Sequence, residues 1–101
     1  NHFNIMLTNQ TLIDHARDLI KNRTTDNPHV MGIVVPKRAL YNPFWSYHLD
    51  SKSIVFFDFA IEVCDAAISY VQEHLSEVGG AFLPGNIWCP WSSQVVNELS
   101  I

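Results

Sequence analysis

The sequence predicts an α+β fold with two helices packed on one face of a small, largely antiparallel sheet, in the order β-α-β-β-α-β. Two stretches whose apolar residues recur with the helical period predict the helices. Short alternating or β-branched runs predict the strands. Of the 101 residues, 48% are hydrophobic and 16% are charged, a balance that excludes a disordered chain and fits one domain, residues 1–101.

The first third of the chain predicts a strand, a helix and a central strand. In residues 3–7 the large apolar side chains fall on every second position, which is typical of a half-buried strand. We expect Thr8 to cap a helix that ends near Asn22. Its apolar positions are Leu12, Ile13, Ala16, Leu19 and Ile20. The run His29–Val35 is short and rich in β-branched residues, so it predicts a central strand.

The middle of the chain predicts a turn and strand over residues 41–50 and then a long second helix. Asp50 or Ser51 would cap this helix, and Gly79-Gly80 would end it in a left-handed conformation. Its apolar stripe comprises Ile54, Phe57, Ile61, Cys64, Ile68, Val71 and Leu75. Acidic residues lie opposite this stripe, so the helix is expected to present an acidic face. This face either is an ordinary solvated surface or attracts a basic partner.

The C-terminal part predicts a turn-rich stretch and a last strand. Trp88 stands beside Cys89 in that strand, and we expect the tryptophan to fill the core. A short amphipathic element, Gln94–Leu99, follows with Val95, Val96 and Leu99 expected to face inward.

Charge and hydropathy exclude two classes of partner. The formal net charge is −4, and all six lysines and arginines precede residue 53, so no basic stripe suited to nucleic acid is expected. No apolar run approaches the roughly 18 residues of a membrane span, so we expect a soluble protein without a membrane partner.

Three features together predict a secreted, extracellular protein. The chain begins at Asn1 without a methionine or signal peptide, as a processed chain would. Asn9 and Asn22 each begin an N-x-[ST] sequence, the acceptor pattern for N-glycosylation. Cys64 and Cys89 are an even pair and permit one disulfide, with two buried free thiols as the alternative.

Several segments together carry a resemblance to a known family. They are HVMGIVV, YNPFWSYHLD, IEVCDA, VGGAFLPG and WCPWSS. The chain resembles, over about residues 10–99, a family of small secreted domains that is labelled calmodulin-binding-protein-like.

Catalytic and metal-binding motifs are not apparent. The five histidines share no metal-ligand spacing, so neither a metal nor a cofactor is expected. A small hydrolase remains conceivable, with His48 and Asp50 beside Ser92 or Ser93, or with Cys89 as the nucleophile. The simpler alternative is that Asp50 caps a helix and His48 is an ordinary half-buried ring.

The leading hypothesis is an interaction protein that inhibits a secreted serine protease through a rigid loop. One candidate loop is Leu83–Trp91, with Leu83 as the anchoring side chain and Pro84 and Asn86 beside it. The other is Arg38–Trp45, with Arg38 suited to trypsin-like targets. Prolines stiffen both loops, which lowers the entropy lost on binding.

A carbohydrate-binding module or lectin is the alternative. Trp45 or Trp91 would then be exposed and stack on sugar rings, with Asn42, Asn86 or Asp50 as polar partners. The predicted partner is therefore a secreted protease or, in the alternative, a glycan.

Overall fold

The strand His29–Val35 is the centre of the fold and pairs antiparallel with three other strands. The computed structural model describes residues 2–26, 28–59 and 62–99. The elements in chain order are α1 (Gln10–Ile20), β1 (His29–Val35), β2 (His48–Leu49), a 3₁₀ turn (Ser51–Ser53), β3 (Val55–Phe57), a second 3₁₀ turn (Glu62–Cys64), α2 (Ile68–Glu73), a third 3₁₀ turn (Leu75–Glu77), β4 (Val78–Gly79), β5 (Phe82–Pro84) and β6 (Ile87–Trp88). Its two helices and antiparallel strands confirm the predicted α+β class.

The strands β2 and β3 occupy successive parts of one edge of β1. Val34 lies opposite Leu49, and Met31 lies opposite Val55. The first 3₁₀ turn interrupts this edge, and there the Ile33 N–H donates to the Ser53 hydroxyl at 2.8 Å. The serine side chain therefore replaces a backbone acceptor that the interrupted strand does not supply. The strand β6 pairs with β1 on its other edge.

The core lies on one side of this sheet. Its buried residues are Val30, Val34, Tyr47, Leu49, Ile54, Val71, Leu83 and Trp88. Trp88 is 1% exposed and its Nε1 donates to the carbonyl of Ala66 at 2.9 Å, which confirms its expected place in the core. Helix α1 contacts this side through His15, whose ring meets Phe56 edge-on. Among the described residues, no helix is long and apolar enough to span a membrane.

Helix α1 is close to its predicted bounds, but its cap is Asn9 and not Thr8. The Asn9 side-chain oxygen accepts hydrogen bonds from the N–H groups of Thr11 and Leu12. The helix ends at Ile20, and Asn22 follows with a φ of 57°, a left-handed conformation that asparagine tolerates.

The predicted N-terminal strand over residues 3–7 is wrong. This segment forms no strand, although Phe3, Ile5 and Leu7 pack against the core. The N–H of Asn4 donates to the side chain of Asn42 and not to a neighbouring strand. Apolar alternation therefore marked burial here without marking a sheet.

The predicted long second helix is also wrong. Residues 55–57 form β3, and Asp50 caps only the first 3₁₀ turn, through a hydrogen bond from the N–H of Lys52. β-Branched and aromatic residues are poor helix formers and fit a strand well, and the edge of β1 offers them backbone partners. Only Ile68–Glu73 is α-helical in the described part of this region, while Ile61 lies outside the described residues.

The C-terminal tail does not form the predicted amphipathic element. Residues 93–99 have no regular structure, and Val96 and Leu99 are 63% and 58% exposed, contrary to the expected inward orientation. Val95 alone of the three packs against the core. A bidentate ion pair between Arg17 and Glu98, at 3.1 and 3.0 Å, holds the tail against α1.

The predicted disulfide is confirmed. Cys64 and Cys89 are bonded across 25 residues with a Cα–Cα distance of 5.1 Å. The bond joins the second 3₁₀ turn, not a long helix, to the residue that follows β6. It belongs to a second small cluster with Phe57, against which Met31 and Trp91 pack.

Candidate binding surface

The loop between β1 and β2 carries the two most exposed large apolar side chains of the described residues. Leu40 is 100% exposed and Phe44 is 87% exposed. Lys37 and Arg38 are exposed beside them. When a partner covers such side chains, the burial of apolar surface favours binding by about 25 cal/mol per Å².

Asn42 fixes the base of this loop from inside the protein. The residue is 2% exposed, and its Nδ2 donates to the carbonyl of Tyr47 at 3.0 Å. Its N–H donates to the carbonyl of Ala39 at 3.0 Å, which closes a turn with Leu40 near the tip. The Trp45 N–H donates to the carbonyl of Asn42 at 3.4 Å, which forms a second turn before β2.

Further hydrogen bonds hold the two sides of the loop. The His48 Nδ1 donates to the carbonyl of Lys37 at 2.6 Å, so the proton of the neutral ring lies on Nδ1. The Asn4 Nδ2 donates to the carbonyl of Tyr41 at 2.9 Å, and the Trp45 Nε1 donates to the carbonyl of His2 at 2.7 Å. The loop is thus rigid at its base while its apolar tip faces solvent.

The other candidate loop does not present the expected anchor. Leu83 is 0% exposed and belongs to the core cluster, so the prediction that it anchors a partner is wrong. Its backbone has a φ of 47°, and the exposed residues of the neighbouring turn are Pro84 and Gly85. Asn86 is half-buried, and its Nδ2 donates to the carbonyl of Val34 at 3.2 Å.

The two tryptophans that the lectin alternative requires are half-buried. Trp45 packs against the core, and its Nε1 is bonded to the carbonyl of His2. Trp91 packs against Phe57 and the disulfide, and its Nε1 is buried with no acceptor among the described residues. The strongly exposed aromatic rings are instead Phe44 and Phe59.

The residues of the hydrolase alternative lie apart. His48 is opposite Val35 at one end of β1, whereas the Ser93 hydroxyl accepts from the Val30 N–H near the other end. Five residues of strand separate these positions by roughly 16 Å, and Ser92 is next to Ser93. Cys89 is 0% exposed and disulfide-bonded, so it cannot act as a nucleophile. In the part of the chain that the structure describes, no group of three or more histidine, cysteine or acidic side chains suits a metal ion.

The expected acidic helix face does not form. Asp58 follows β3, Asp65 follows the second 3₁₀ turn, and Glu73 ends α2, so the acidic residues are spread over separate elements. The Asp65 side chain accepts from the N–H of Trp91 at 3.0 Å. The exposed loop carries Lys37 and Arg38, so its own charge suits an acidic partner.

Leu40 was not among the predicted site residues. The available signal was its place between Pro36 and Pro43, where no periodicity gives it an inward face. The two glycosylation sequences are exposed at their asparagines, Asn9 before α1 and Asn22 after it, and their modification stays a prediction.

Comparison with known proteins gives one match. Residues 1–101 match the family model described as the BP-74 N-terminal domain. Searches of curated proteins and of solved structures find no match. The description of the family model carries no calmodulin-binding label, so that part of the resemblance stays a prediction.

Proposed function

We propose that this chain, which belongs to the family of BP-74 N-terminal domains, is a secreted inhibitor of a trypsin-like serine protease. The loop Arg38–Trp45 is the part that binds the protease. The observation that carries the proposal is the exposed tip of this loop, with Leu40 and Phe44 in solvent above the buried Asn42. The disulfide fits an extracellular location, where such proteases act.

The rigid base of the loop supports binding because it lowers the entropy lost when a partner is bound. Ordering a flexible side chain or loop costs about 0.5–1.5 kcal/mol per immobilised side chain. The hydrogen bonds of Asn42, His48 and Asn4 already fix the backbone on both sides of Leu40. A protease would therefore meet a loop that is ordered before contact.

Arg38 is the side chain that we assign to the specificity pocket. Trypsin-like proteases carry an aspartate at the base of that pocket, and an exposed guanidinium is its complement. Arg38 lies between the bend at Pro36–Lys37 and the turn that begins at Ala39, and its side chain is exposed. Leu40 and Phe44 would cover apolar surface beside the pocket, where a few such side chains supply most of the binding energy.

Inhibition constants test the proposal. The parent protein is expected to inhibit trypsin at micromolar concentration or below, and Arg38→Ala is expected to weaken inhibition by about 100-fold or more. Lys52→Ala is the matched control, because Lys52 is an exposed cation outside the loop and its loss should leave inhibition unchanged. Failure of the parent protein to inhibit any of trypsin, chymotrypsin and subtilisin at about 100 µM would remove the inhibitor function.

A further inference from the structure

The face of the sheet turned away from the core carries no charged side chain on any described strand. Alternation places the buried Val30, Gly32 and Val34 inward, and the alternate residues of β1 therefore face outward. The outward positions are His29, Met31, Ile33, Val35, His48, Val55, Phe57 and Ile87. A solvated face of an antiparallel sheet is ordinarily polar, whereas six of these eight side chains are apolar.

The centre of this outer sheet face is open. Ile33 and Ile87 are directly opposite one another and are 40% and 43% exposed, while Val55, opposite Met31, is 42% exposed. Among the described residues, Trp91 covers the end near the disulfide, and Tyr41 packs edge-on against His48 at the other end. Val95 in the tail packs against the core on the opposite side. The tail meets the outer sheet face at the end near the disulfide, where the His29 ring is hydrogen-bonded to the Ser93 carbonyl at 2.7 Å, while Ile33, Val55 and Ile87 stay exposed.

Charges of opposite sign stand at the two ends of the outer sheet face. Lys37 lies two residues beyond the last residue of β1, and its carbonyl is bonded to the outward-facing His48. Asp58 directly follows Phe57, which is opposite the first residue of β1. Six residues of strand place these charges about 20 Å apart along the sheet.

We infer that the outer sheet face binds a second copy of this chain, with the two sheets stacked about a two-fold axis that runs across the strands. This axis sets the partner's β1 antiparallel to the first and brings Ile33, Val55 and Ile87 of both copies together. It also places Lys37 of each copy above Asp58 of the other. A parallel arrangement would instead superpose like charges, so the charge order selects the antiparallel one. The inference does not depend on the proposed inhibitor function.

Sedimentation velocity tests the apolar part of the inference. The parent protein is expected to dimerise between about 1 and 100 µM, and Ile33→Glu and Ile87→Glu are each expected to weaken the dimer by about tenfold or more. Ile33→Thr keeps the β-branched shape and serves if the glutamate variant does not fold. Val96→Glu is the control, because Val96 is exposed in the part of the tail that the Arg17–Glu98 ion pair holds against α1. The dimer of this variant should persist.

Complementary charge reversals test the direction of the axis. Lys37→Glu and Asp58→Lys each create two like-charge contacts in their own dimer, so each is expected to weaken self-association. An equal mixture restores two attractive contacts and is expected to form a heterodimer as stable as the parent dimer, within about threefold in Kd. A parent protein that stays monomeric at about 100 µM overturns the inference. A mixture that does not associate overturns the antiparallel arrangement.

Discussion

Asn4 and Asn42 join the N-terminal segment to the loop between β1 and β2. The N–H of Asn4 donates to the Asn42 side-chain oxygen at 2.9 Å across 38 residues of sequence, and the Asn42 Nδ2 donates to the carbonyl of Tyr47 at 3.0 Å. Both polar ends of the Asn42 amide are therefore satisfied in an interior where an unpaired polar group is costly. This pair makes the rigidity of the loop depend on residues far from it in sequence.

Replacement of Asn42 with alanine is expected to lower the free energy of unfolding by about 1–3 kcal/mol, because it leaves the Asn4 N–H and the Tyr47 carbonyl unpaired. Hydrogen exchange over residues 36–46 is expected to become faster. Asn4→Ala is the matched comparison, since it keeps the Asn4 N–H and removes only the hydrogen bond to Tyr41. Equal losses from the two variants would contradict the placement of Asn42 as the anchor.

Leu83 and Leu40 are expected to separate stability from binding. Leu83 is fully buried, so Leu83→Ala should cost about 2–5 kcal/mol in chemical denaturation without altering inhibition by the folded protein. Leu40 is fully exposed, so Leu40→Ala should change stability by less than about 0.5 kcal/mol but weaken inhibition. The reverse pattern would favour the Leu83–Trp91 loop over the Arg38–Trp45 loop as the protease-binding segment.

Loss of the disulfide is expected to cost about 3 kcal/mol, because the bond closes a loop of 25 residues in the unfolded chain. Urea denaturation of the double variant Cys64→Ala, Cys89→Ala against the parent protein measures this difference. The parent protein in reductant provides a second estimate without mutation. A loss below about 1 kcal/mol would mean that the bond does not restrict the unfolded state as expected.

The ion pair of Arg17 and Glu98 predicts an acid-dependent docking of the tail. The Arg17 guanidinium holds the pKa of the Glu98 carboxyl below its ordinary value. A carboxyl whose pKa is lower in the folded state stabilises that state above its unfolded pKa and loses the effect as pH falls through its folded pKa. The difference in stability between the parent protein and Glu98→Gln should therefore vanish in acid. A difference that persists at a pH well below both pKa values would show that this pair is not its source.

The sequence correctly predicted those elements whose residue pattern fits only one kind of structure. The run His29–Val35 is rich in β-branched residues, and the observed bounds of the strand agree with the prediction. The disulfide followed from an even count of cysteines. The apolar spacing from Ile54 onward predicted a helix, whereas Val55–Phe57 form β3. A spacing pattern does not show whether a neighbouring strand is available for pairing.

The candidate loop was predictable only in part. Arg38 and Trp45 marked its ends, but the full exposure of Leu40 depends on the turn that the buried Asn42 closes. Likewise, Pro84-Gly85-Asn86 signals a turn without reporting that the left-handed Leu83 points inward. Both outcomes follow from contacts between residues distant in sequence, which local patterns do not contain.

A switch of protease specificity tests the assignment of Arg38 most directly. The inhibition constants of the parent protein and of Arg38→Leu are measured against trypsin and chymotrypsin. The parent protein is expected to prefer trypsin, and Arg38→Leu is expected to lose at least about 100-fold against trypsin and to gain against chymotrypsin, whose specificity pocket is apolar. Unchanged inhibition of both enzymes by Arg38→Leu would contradict the assignment of Arg38 to the specificity pocket.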